Sequence, residues 1–340
     1  PLIRITLLRL AAEEHVAVVS THHIIYDGWS MGVLLAELGT LYEAFEQGRP
    51  SPLAELPIQY ADFAAWQRER LQGEHLERLQ GYWVKQLAGV PPLELPTDHP
   101  RPAVRSTRGG ALSVELSRNT SEALHDFCRR EGVTPFMALL AALEVLLHRY
   151  SGQDDFAIGS PVANRSRAET ESLIGYFVNV VVLRSNLSGG PSFREVLRRV
   201  RDVTVAAYEH QELTLDRVVG AVNPPRDLSR HPLFQVMFAL QNFEVAVTKR
   251  AGVSIERLEG GPETPASFFD LTLEVWPVGP SFRADWYYNT DLFGEATLER
   301  MAGHFEAVLA AALAEPDRPV AALPLLSDAQ QRQLVVAWND

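Results

Sequence analysis

The chain has 340 residues, of which 46% are hydrophobic, and its formal net charge is −12 at pH 7. That length is enough to bury a large core, more simply in two lobes than in one. The acidic balance argues against a general nucleic-acid binder, and a single cysteine, Cys128, excludes a disulfide framework and a zinc site built from thiolates. Because no apolar run reaches membrane-spanning length, we expect a soluble, cytoplasmic protein.

Predicted strands and helices alternate along the whole chain. In chain order, hydrophobic periodicity, capping residues and turn residues predict a strand at 2–10, a strand that starts at Val16 and bears His22, and a helix at 31–45. Helices through Trp66 and Trp83, a helix at 136–150, strands at 156–162 and 177–187 and a helix at 192–208 follow. The last predicted elements are strands near 233–240, 253–258, 269–275 and 282–288, and a closing helix at 295–315. This alternation predicts an α/β or α+β fold with mixed sheets.

The most informative segment is residues 21–30, whose sequence is THHIIYDGWS. A strand of branched apolar residues ends at His22 and His23, and an acid and a glycine, Asp27 and Gly28, precede the first long helix. This layout is typical of a catalytic base presented at the end of a strand. Because side chains alternate across a strand, we expect the two histidines to point to opposite faces, so that only one reaches a substrate.

This segment resembles the HHxxxDG signature of the condensation domains of nonribosomal peptide synthetases. Four further segments resemble family motifs in the family's order: YADFAAWQR at 60–68, IGYFVNV at 174–180 with Arg184 beyond it, EHQE at 209–212 and RDLSRHPL at 226–233. The resemblance covers nearly the whole chain. It implies the two-lobed chloramphenicol-acetyltransferase-like fold, with the active site in a tunnel between the lobes.

The resemblance also implies a reaction. A condensation domain joins a donor acyl or peptidyl group on one carrier protein to the amine of an aminoacyl group on another, and both substrates are phosphopantetheine thioesters. The domain needs no metal or redox cofactor of its own. The sequences DGWSMG at 27–32 and FVN at 177–179 favour the peptide-bond-forming subtype with an L-configured donor. The implied partners are the donor and acceptor carrier proteins and an adjacent adenylation domain.

Three alternatives stay open on the sequence. A modified-residue condensation subtype would dehydrate a bound serine or threonine, and Tyr26, Val180 and the sequence LTLD at 213–216 leave room for it. A free-standing acyltransferase would act on a soluble amine or alcohol. A catalytically silent module would dock carrier proteins or tailoring enzymes, although the histidine motif that such modules commonly lose is intact in this chain.

Proline and glycine residues give the expected division of the chain. We expect 1–95 to be the remainder of the N-terminal lobe with the histidine loop, 96–110 a proline-rich inter-lobe segment, 111–326 the C-terminal lobe, and 327–340 a linker towards an adenylation domain. In the family two earlier motifs precede the histidine motif, and neither is visible here. The resemblance therefore implies that upstream elements of the first lobe are missing, which predicts an open sheet edge.

His23 is the expected catalytic residue. The attacking amine must lose a proton as it adds to the thioester carbonyl, and a neutral imidazole titrates near working pH. His23 either takes that proton or orients the amine through a hydrogen bond, and the sequence leaves both roles open. We expect His22 to support the loop from the other face of the strand.

Asp27, Gly28 and Trp29 complete the loop. Spacing alone allows Asp27 as the third member of a catalytic triad, whereas the resemblance implies a structural aspartate paired with a distant arginine, with Arg184 as the expected partner and Arg165 as the alternative. The N–H of Gly28 either meets the developing oxyanion or belongs to a plain turn. Trp29 is expected to pack against the next helix and cap it.

Two further features extend the candidate site. Asn179 is a polar residue in an otherwise apolar strand, so it needs a partner, and we expect it to bond to backbone across the lobes or to line the substrate path. One helix carries the densest basic cluster of the chain, namely Arg194, Arg198, Arg199 and Arg201. These arginines either attract an acidic carrier protein or form an ordinary solvated helix face.

Overall fold

The computed structural model describes residues 1–241, 248–250, 253–255 and 265–326. Its strands are β1 (Ile3–Arg9), β2 (His15–Thr21), β3 (Gly109–Glu115), β4 (Asp155–Val162), β5 (Asn179–Asn186), β6 (Val236–Leu240), β7 (Thr248–Arg250), β8 (Val253–Ile255), β9 (Leu271–Val278) and β10 (Ser281–Asn289). Its α-helices are α1 (Gly28–Glu46), α2 (Tyr60–Arg70), α3 (Gly73–Leu87), α4 (Arg118–Glu131), α5 (Pro135–Ser151), α6 (Phe193–Glu209), α7 (Leu215–Val222) and α8 (Glu295–Ala314). The expected linker at 327–340 lies outside the described residues.

The chain divides into two units by its internal contacts. Unit 1 contains Pro1–Glu77, Val162–Asn179 and Phe243–Gly260, and unit 2 contains Arg78–Pro161, Val180–Asn242 and Gly261–Asp340. Most of α3 belongs to unit 2, where the indole N–H of Trp83 donates to the carbonyl of His210 at 3.1 Å. The boundaries expected from the sequence stay a prediction.

Unit 1 presents the histidine loop between a β-hairpin and a long helix. β1 and β2 pair antiparallel, with Ile3 opposite Thr21. The N–H of Leu10 donates to the carbonyl of Glu14 at 2.9 Å and closes the turn where the sequence predicts it. Every residue of β1 is exposed, and the side chain of Ile5 is among the most exposed apolar ones, at 64%.

Unit 2 is built on a six-stranded mixed sheet with the strand order β3-β10-β9-β6-β4-β5. β10 pairs antiparallel with β3 and β9, whereas β6 pairs parallel with β9 and β4. α5 packs against α6 and α8, and its residues from Ala138 to Leu147 are all buried, as expected for a helix that is apolar on every side. Glu144 is the one charged residue between Ala138 and Leu147, and its burial raises the pKa of its carboxyl group to about 8. The predicted mixed α/β class is confirmed.

Most predicted elements are confirmed, but the sequence did not predict strand β3. Gly109 and Gly110 open this strand, whereas the glycine pair in the sequence predicts a boundary there. A Cβ on Gly109 would lie 2.2 Å from the carbonyl oxygen of Pro265, and one on Gly110 would lie 2.4 Å from Cζ of Tyr288. These glycines therefore allow close strand packing. The short helix α7 was also not predicted, and the strand expected at 253–258 is described only as far as Ile255.

Candidate active site

The histidine loop begins where β2 ends, at Thr21. His22 follows in an extended conformation, and His23–Ile25 form one turn of 3₁₀ helix. Nδ1 of His22 accepts a hydrogen bond from the N–H of Ile24 at 3.1 Å and so caps this turn. The expectation that the histidines alternate across a strand is therefore wrong, because the strand ends before them. A supporting role for His22 stays a prediction, and this capping contact is the kind of contact that such a role requires.

The imidazole of His23 is exposed and contacts one aromatic ring. Its ring centroid lies 5.3 Å from that of Tyr176, with the two planes at 85°, an edge-to-face arrangement. Among the described residues, neither ring nitrogen of His23 has a hydrogen-bond partner. Both nitrogens are therefore available to a substrate amine, which either a base or an orienting residue needs.

Asp27 is buried, at 2% exposure, and caps the start of α1. One carboxylate oxygen accepts hydrogen bonds from the N–H and the hydroxyl of Ser30 at 2.9 and 2.7 Å, and from the guanidinium of Arg165 at 3.1 Å. The other oxygen accepts from the N–H of Phe177 at 3.0 Å. Burial alone would raise the pKa of Asp27, but these hydrogen bonds and the nearby cation outweigh it and hold the pKa below its usual range. Asp27 is thus a charged residue surrounded by structural donors.

Arg165 is the partner of Asp27, which was the alternative expectation. Its side chain is only 1% exposed. The guanidinium also donates to the carbonyls of Thr170 and Leu173, and it lies over the ring of Phe177 at 4.0 Å from the centroid. A buried cation with this many partners fixes the loop after β4 against the histidine loop.

Arg184 is not the partner of Asp27, so the first expectation is wrong. Its guanidinium donates to both carboxylate oxygens of Asp155, at 2.8 and 2.7 Å, and to the carbonyls of Gln86 and Ala88, each at 3.0 Å. Arg184 lies on β5 and Asp155 on β4, and neighbouring strands offer an acid at short range. All of these contacts lie within unit 2, so a supporting role of Arg184 for the site stays a prediction.

The segment 171–177 is held to the start of α1 by hydrogen bonds. The indole N–H of Trp29 donates to the carbonyl of Glu171 at 2.9 Å. The fully buried hydroxyl of Ser30, which donates to Asp27, accepts from the N–H of Gly175 at 3.1 Å. Trp29 therefore anchors a segment distant in sequence, a contact that the expected helix-capping role did not include.

The YADFAAWQR motif on α2 packs against this same segment. Its buried cluster consists of Phe63, Leu173 and Phe177, with Ile58, Tyr60 and Trp66 packed against it. The hydroxyl of Tyr60 donates to the carbonyl of Tyr176 at 2.7 Å. The side chain of Asp62 accepts from the N–H of Gln59 at 2.8 Å and completes a capping box at the start of α2. The motif is therefore structural in its contacts.

Gly175 allows Tyr60 to approach the segment. A Cβ at Gly175 would lie 2.3 Å from Cδ2 of Tyr60, closer than real Cβ contacts. We expect Gly175→Ala to displace the Tyr60 ring and to lower the free energy of unfolding by about 1–3 kcal/mol. Urea unfolding measures this loss.

Gly32→Ala is the matched control for Gly175→Ala. Gly32 lies inside α1, and no atom lies within 4 Å of a Cβ built there. Alanine at position 32 is expected to raise the free energy of unfolding by roughly 0.5–1 kcal/mol through helix propensity. Equal effects of the two substitutions would show that the contact with Tyr60 is unimportant.

Gly28 and Asn179 occupy the ends of elements. Gly28 is the exposed first residue of α1, and its φ is not positive. Asn179 is the first residue of β5 and is 6% exposed. An oxyanion role for the N–H of Gly28 and the expected roles of Asn179 stay predictions.

The arginine cluster on α6 is largely neutralised by nearby acids. The ion pairs are Arg194 with Glu131 and Asp317, Arg198 with Glu195 and Asp202, and Arg199 with Glu195. Paired charges of alternating sign are typical of a solvated helix face. This pairing favours the structural interpretation of the cluster over a carrier-binding surface.

Sequence reasoning missed the contact of Tyr176 with His23. No spacing rule connects two residues from distant segments, so this contact carries no signal in a single sequence. The capping role of Asp27 did have one, since an aspartate directly before a helical apolar pattern is typical of an N-cap. That signal places the helix start at Gly28, three residues before the predicted one.

The part of the chain that the structure describes holds neither a metal cluster nor a single membrane-spanning helix. No group of three or more His, Cys, Asp or Glu side chains there is arranged to hold a metal ion. No single helix in those ranges is long and apolar enough to cross a membrane, and α4 with α5 satisfies that test only as a pair bent by 110°.

Comparison with known proteins identifies the family. The Condensation domain family matches residues 1–335, so the chain belongs to this family. One of the proteins that make up the linear gramicidin synthase of Brevibacillus parabrevis is 47% identical over 341 residues, which is all of this chain but 4% of that protein. The chain therefore spans only a small part of the curated relatives that it matches.

Solved structures agree with this assignment. The X-domain from teicoplanin biosynthesis has a TM-score of 0.85 at 28% identity, and the match covers 96% of this chain and 75% of that one. A four-domain nonribosomal peptide synthetase bound to AMP and glycine has a TM-score of 0.83 at 25% identity, over 97% of this chain and 26% of that one. The expected chloramphenicol-acetyltransferase-like fold is confirmed. Condensation domains of nonribosomal peptide synthetases are acyltransferases that form peptide bonds, and they carry no cofactor of their own.

Proposed function

We propose that this chain joins a donor acyl or peptidyl thioester to the amine of an aminoacyl thioester, with His23 acting on the amine proton. The observation that carries the proposal is the exposed imidazole of His23, whose nitrogens have no partner among the described residues, on a loop fixed by the buried pair of Asp27 and Arg165. A free imidazole on a rigid loop suits a proton acceptor or an orienting group.

The proposed chemistry balances without a cofactor. The acceptor nitrogen attacks the donor carbonyl carbon, a C–N bond forms, and the C–S bond of the donor thioester breaks. The amine loses one proton and the departing thiolate gains one. His23 either carries this proton through its imidazole or holds the amine in the attacking orientation while the thiolate takes it. The N–H of Gly28, at the start of α1, is suited to stabilise the developing oxyanion, because helix N-termini favour negative charge.

Asp27 is proposed to act on the fold of the loop and not on the substrate. Its oxygens accept from Ser30, Phe177 and Arg165, and it is buried. A triad aspartate would instead hydrogen-bond the imidazole. His22, which caps the turn at His23, is proposed to support the same loop.

The substrates and partners belong to the proposal as well. We propose that both substrates arrive on phosphopantetheine arms of carrier proteins, that an adenylation domain acts alongside, and that the protein is cytoplasmic. The support is the identity to a component of linear gramicidin synthase and the similarity to a four-domain synthetase. An L-configured donor is proposed on the motif resemblance alone.

Mass spectrometry of carrier-bound products tests this function. The complete protein is mixed with donor and acceptor carrier proteins that are loaded in turn with a panel of L-aminoacyl groups, and the acceptor carrier is analysed for a dipeptidyl group. The matching condensation domain of linear gramicidin synthase serves as the positive control. A dipeptide on the acceptor supports the proposal.

The same assay separates two of the alternatives from condensation. A product lighter by one water after a serine or threonine acceptor would indicate the modified-residue subtype. Carrier binding with no product from any pair, while the control condenses, would indicate a silent docking module and overturn the proposal. The intact histidine motif favours condensation over that outcome.

A further inference from the structure

We infer that Tyr176 is a positioning residue whose ring holds the imidazole of His23 in its working orientation. The inference rests on the proposed function of His23. It concerns a residue that touches His23 and has no assigned role in the proposed chemistry. Three observations support this role: the contact between the two rings, the hydrogen bonds that occupy the Asp27 carboxylate, and the hydrogen bonds that hold the backbone around Tyr176.

The ring contact is the first observation. The two rings meet edge to face at a centroid distance of 5.3 Å and an angle of 85°, which is a favourable geometry for an aromatic pair. His23 is exposed, so little else restricts its side chain. A contact of this kind favours one ring orientation by roughly 2- to 10-fold.

The occupied carboxylate of Asp27 is the second observation. In a Ser-His-Asp triad the aspartate hydrogen-bonds the imidazole and fixes both its tautomer and its orientation. Here Asp27 accepts from Ser30, Phe177 and Arg165, and no described residue hydrogen-bonds the ring of His23. Packing against Tyr176 therefore replaces the polar orienting contact.

The anchoring of Tyr176 is the third observation. The hydroxyl of Tyr60 donates to the carbonyl of Tyr176 at 2.7 Å. On one side the N–H of Gly175 donates to the hydroxyl of Ser30, and on the other the N–H of Phe177 donates to Asp27. The backbone of Tyr176 is therefore fixed by the same buried network that fixes the histidine loop, so its ring meets His23 from a rigid base.

The ring, and not the hydroxyl, is assigned this role. Tyr176 is 43% exposed, and its hydroxyl has no hydrogen-bond partner among the described residues. Phenylalanine keeps the ring edge that meets His23, whereas leucine keeps apolar bulk but loses the ring. The pair of substitutions Tyr176→Phe and Tyr176→Leu therefore separates this role from one of the hydroxyl.

The kinetic test uses the complete protein and the best pair from the carrier panel. Tyr176→Leu is expected to lower kcat roughly 10-fold with the acceptor KM within about twofold, and Tyr176→Phe to stay within about twofold of the parent. Tyr42→Leu is the matched control, since Tyr42 lies on α1 of the same unit with 48% exposure, and it is expected to change nothing. In a His23→Ala background, Tyr176→Leu is expected to cause no further loss.

A direct measurement keeps the inference testable if the proposed function fails. In protein labelled at the histidine rings, the NMR signal of His23 is identified by its loss in His23→Ala. Tyr176→Leu is expected to shift that signal by removing the ring current, and Tyr176→Phe to leave it close to its original position. An unmoved signal in Tyr176→Leu, equal kinetic losses in the leucine and phenylalanine variants, or the full Tyr176→Leu loss in the His23→Ala background would each overturn the inference.

Discussion

His23→Ala is expected to lower the rate of carrier-bound dipeptide formation by roughly 10²–10⁴-fold, the range for losing general acid–base help. The imidazole is exposed and makes no described hydrogen bond, so its removal costs the fold little. Single-turnover mass spectrometry with loaded donor and acceptor carriers measures the rate, and a thermal melt confirms that the variant is folded.

His15→Ala is the matched control for this loss. His15 is an exposed histidine on β2 of the same unit, and its replacement is expected to leave turnover unchanged. If the folded His23→Ala protein forms dipeptide at a near-parental rate, His23 has no part in the mechanism.

His23→Gln addresses which of the two open roles the imidazole has. Glutamine keeps a hydrogen-bonding group but has no group that accepts a proton near neutral pH. Appreciable activity in this variant therefore favours an orienting role for His23. Activity as low as that of His23→Ala favours general-base catalysis.

The candidate site was predictable from sequence where the signal is local. The strand, the histidine pair and the following helix are adjacent in the chain, so spacing and apolar periodicity locate them. The direction in which the histidines point was not predictable, because the strand ends at Thr21 and a 3₁₀ turn begins at His23. Both histidines lie beyond the end of the strand, so the alternation of side chains along a strand does not apply to them.

Contacts between distant segments were beyond the sequence. Arg165 and Arg184 are both arginines near strand ends, and nothing in their spacing says which one reaches Asp27. The deciding factor is tertiary: Arg184 has Asp155 on the neighbouring strand, whereas Arg165 lies in the loop after β4 that packs on the histidine loop. The contact of Tyr176 with His23 depends on the same packing.

Asp27→Asn is expected to lower the free energy of unfolding by about 3–5 kcal/mol, the cost of leaving a buried ion without its partner. Asparagine has the same shape, and its carbonyl still accepts from Ser30, but its NH2 group cannot accept from the N–H of Phe177. The loss therefore combines the charge with that one hydrogen bond. The guanidinium of Arg165, 1% exposed, would remain buried without a counter-ion. Urea unfolding followed by a probe in unit 1 measures the change.

Asp155→Asn is the matched control for Asp27→Asn. It breaks the pair with Arg184, whose side chains are 24% and 38% exposed, and partly exposed pairs contribute less than about 1 kcal/mol. If Asp27→Asn abolishes turnover but leaves the free energy of unfolding unchanged, Asp27 acts in the chemistry and not in holding the loop. Equal losses in the two variants would show that burial does not distinguish these pairs.

The pH dependence of the Asp27→Asn effect provides an independent check. Because the folded protein holds the pKa of Asp27 below its usual range, the native state binds fewer protons than the unfolded state in acid. The stability that the charge contributes is then fully present above the unfolded pKa, about 3.9 for an aspartate, and is lost as pH falls through the folded value. The difference in unfolding free energy between parent and Asp27→Asn should therefore be constant near pH 7 and shrink below about pH 4. A difference that persists undiminished in acid would mean that asparagine disturbs the packing at Ser30 and Phe177, and that the charge of Asp27 is not what holds the histidine loop.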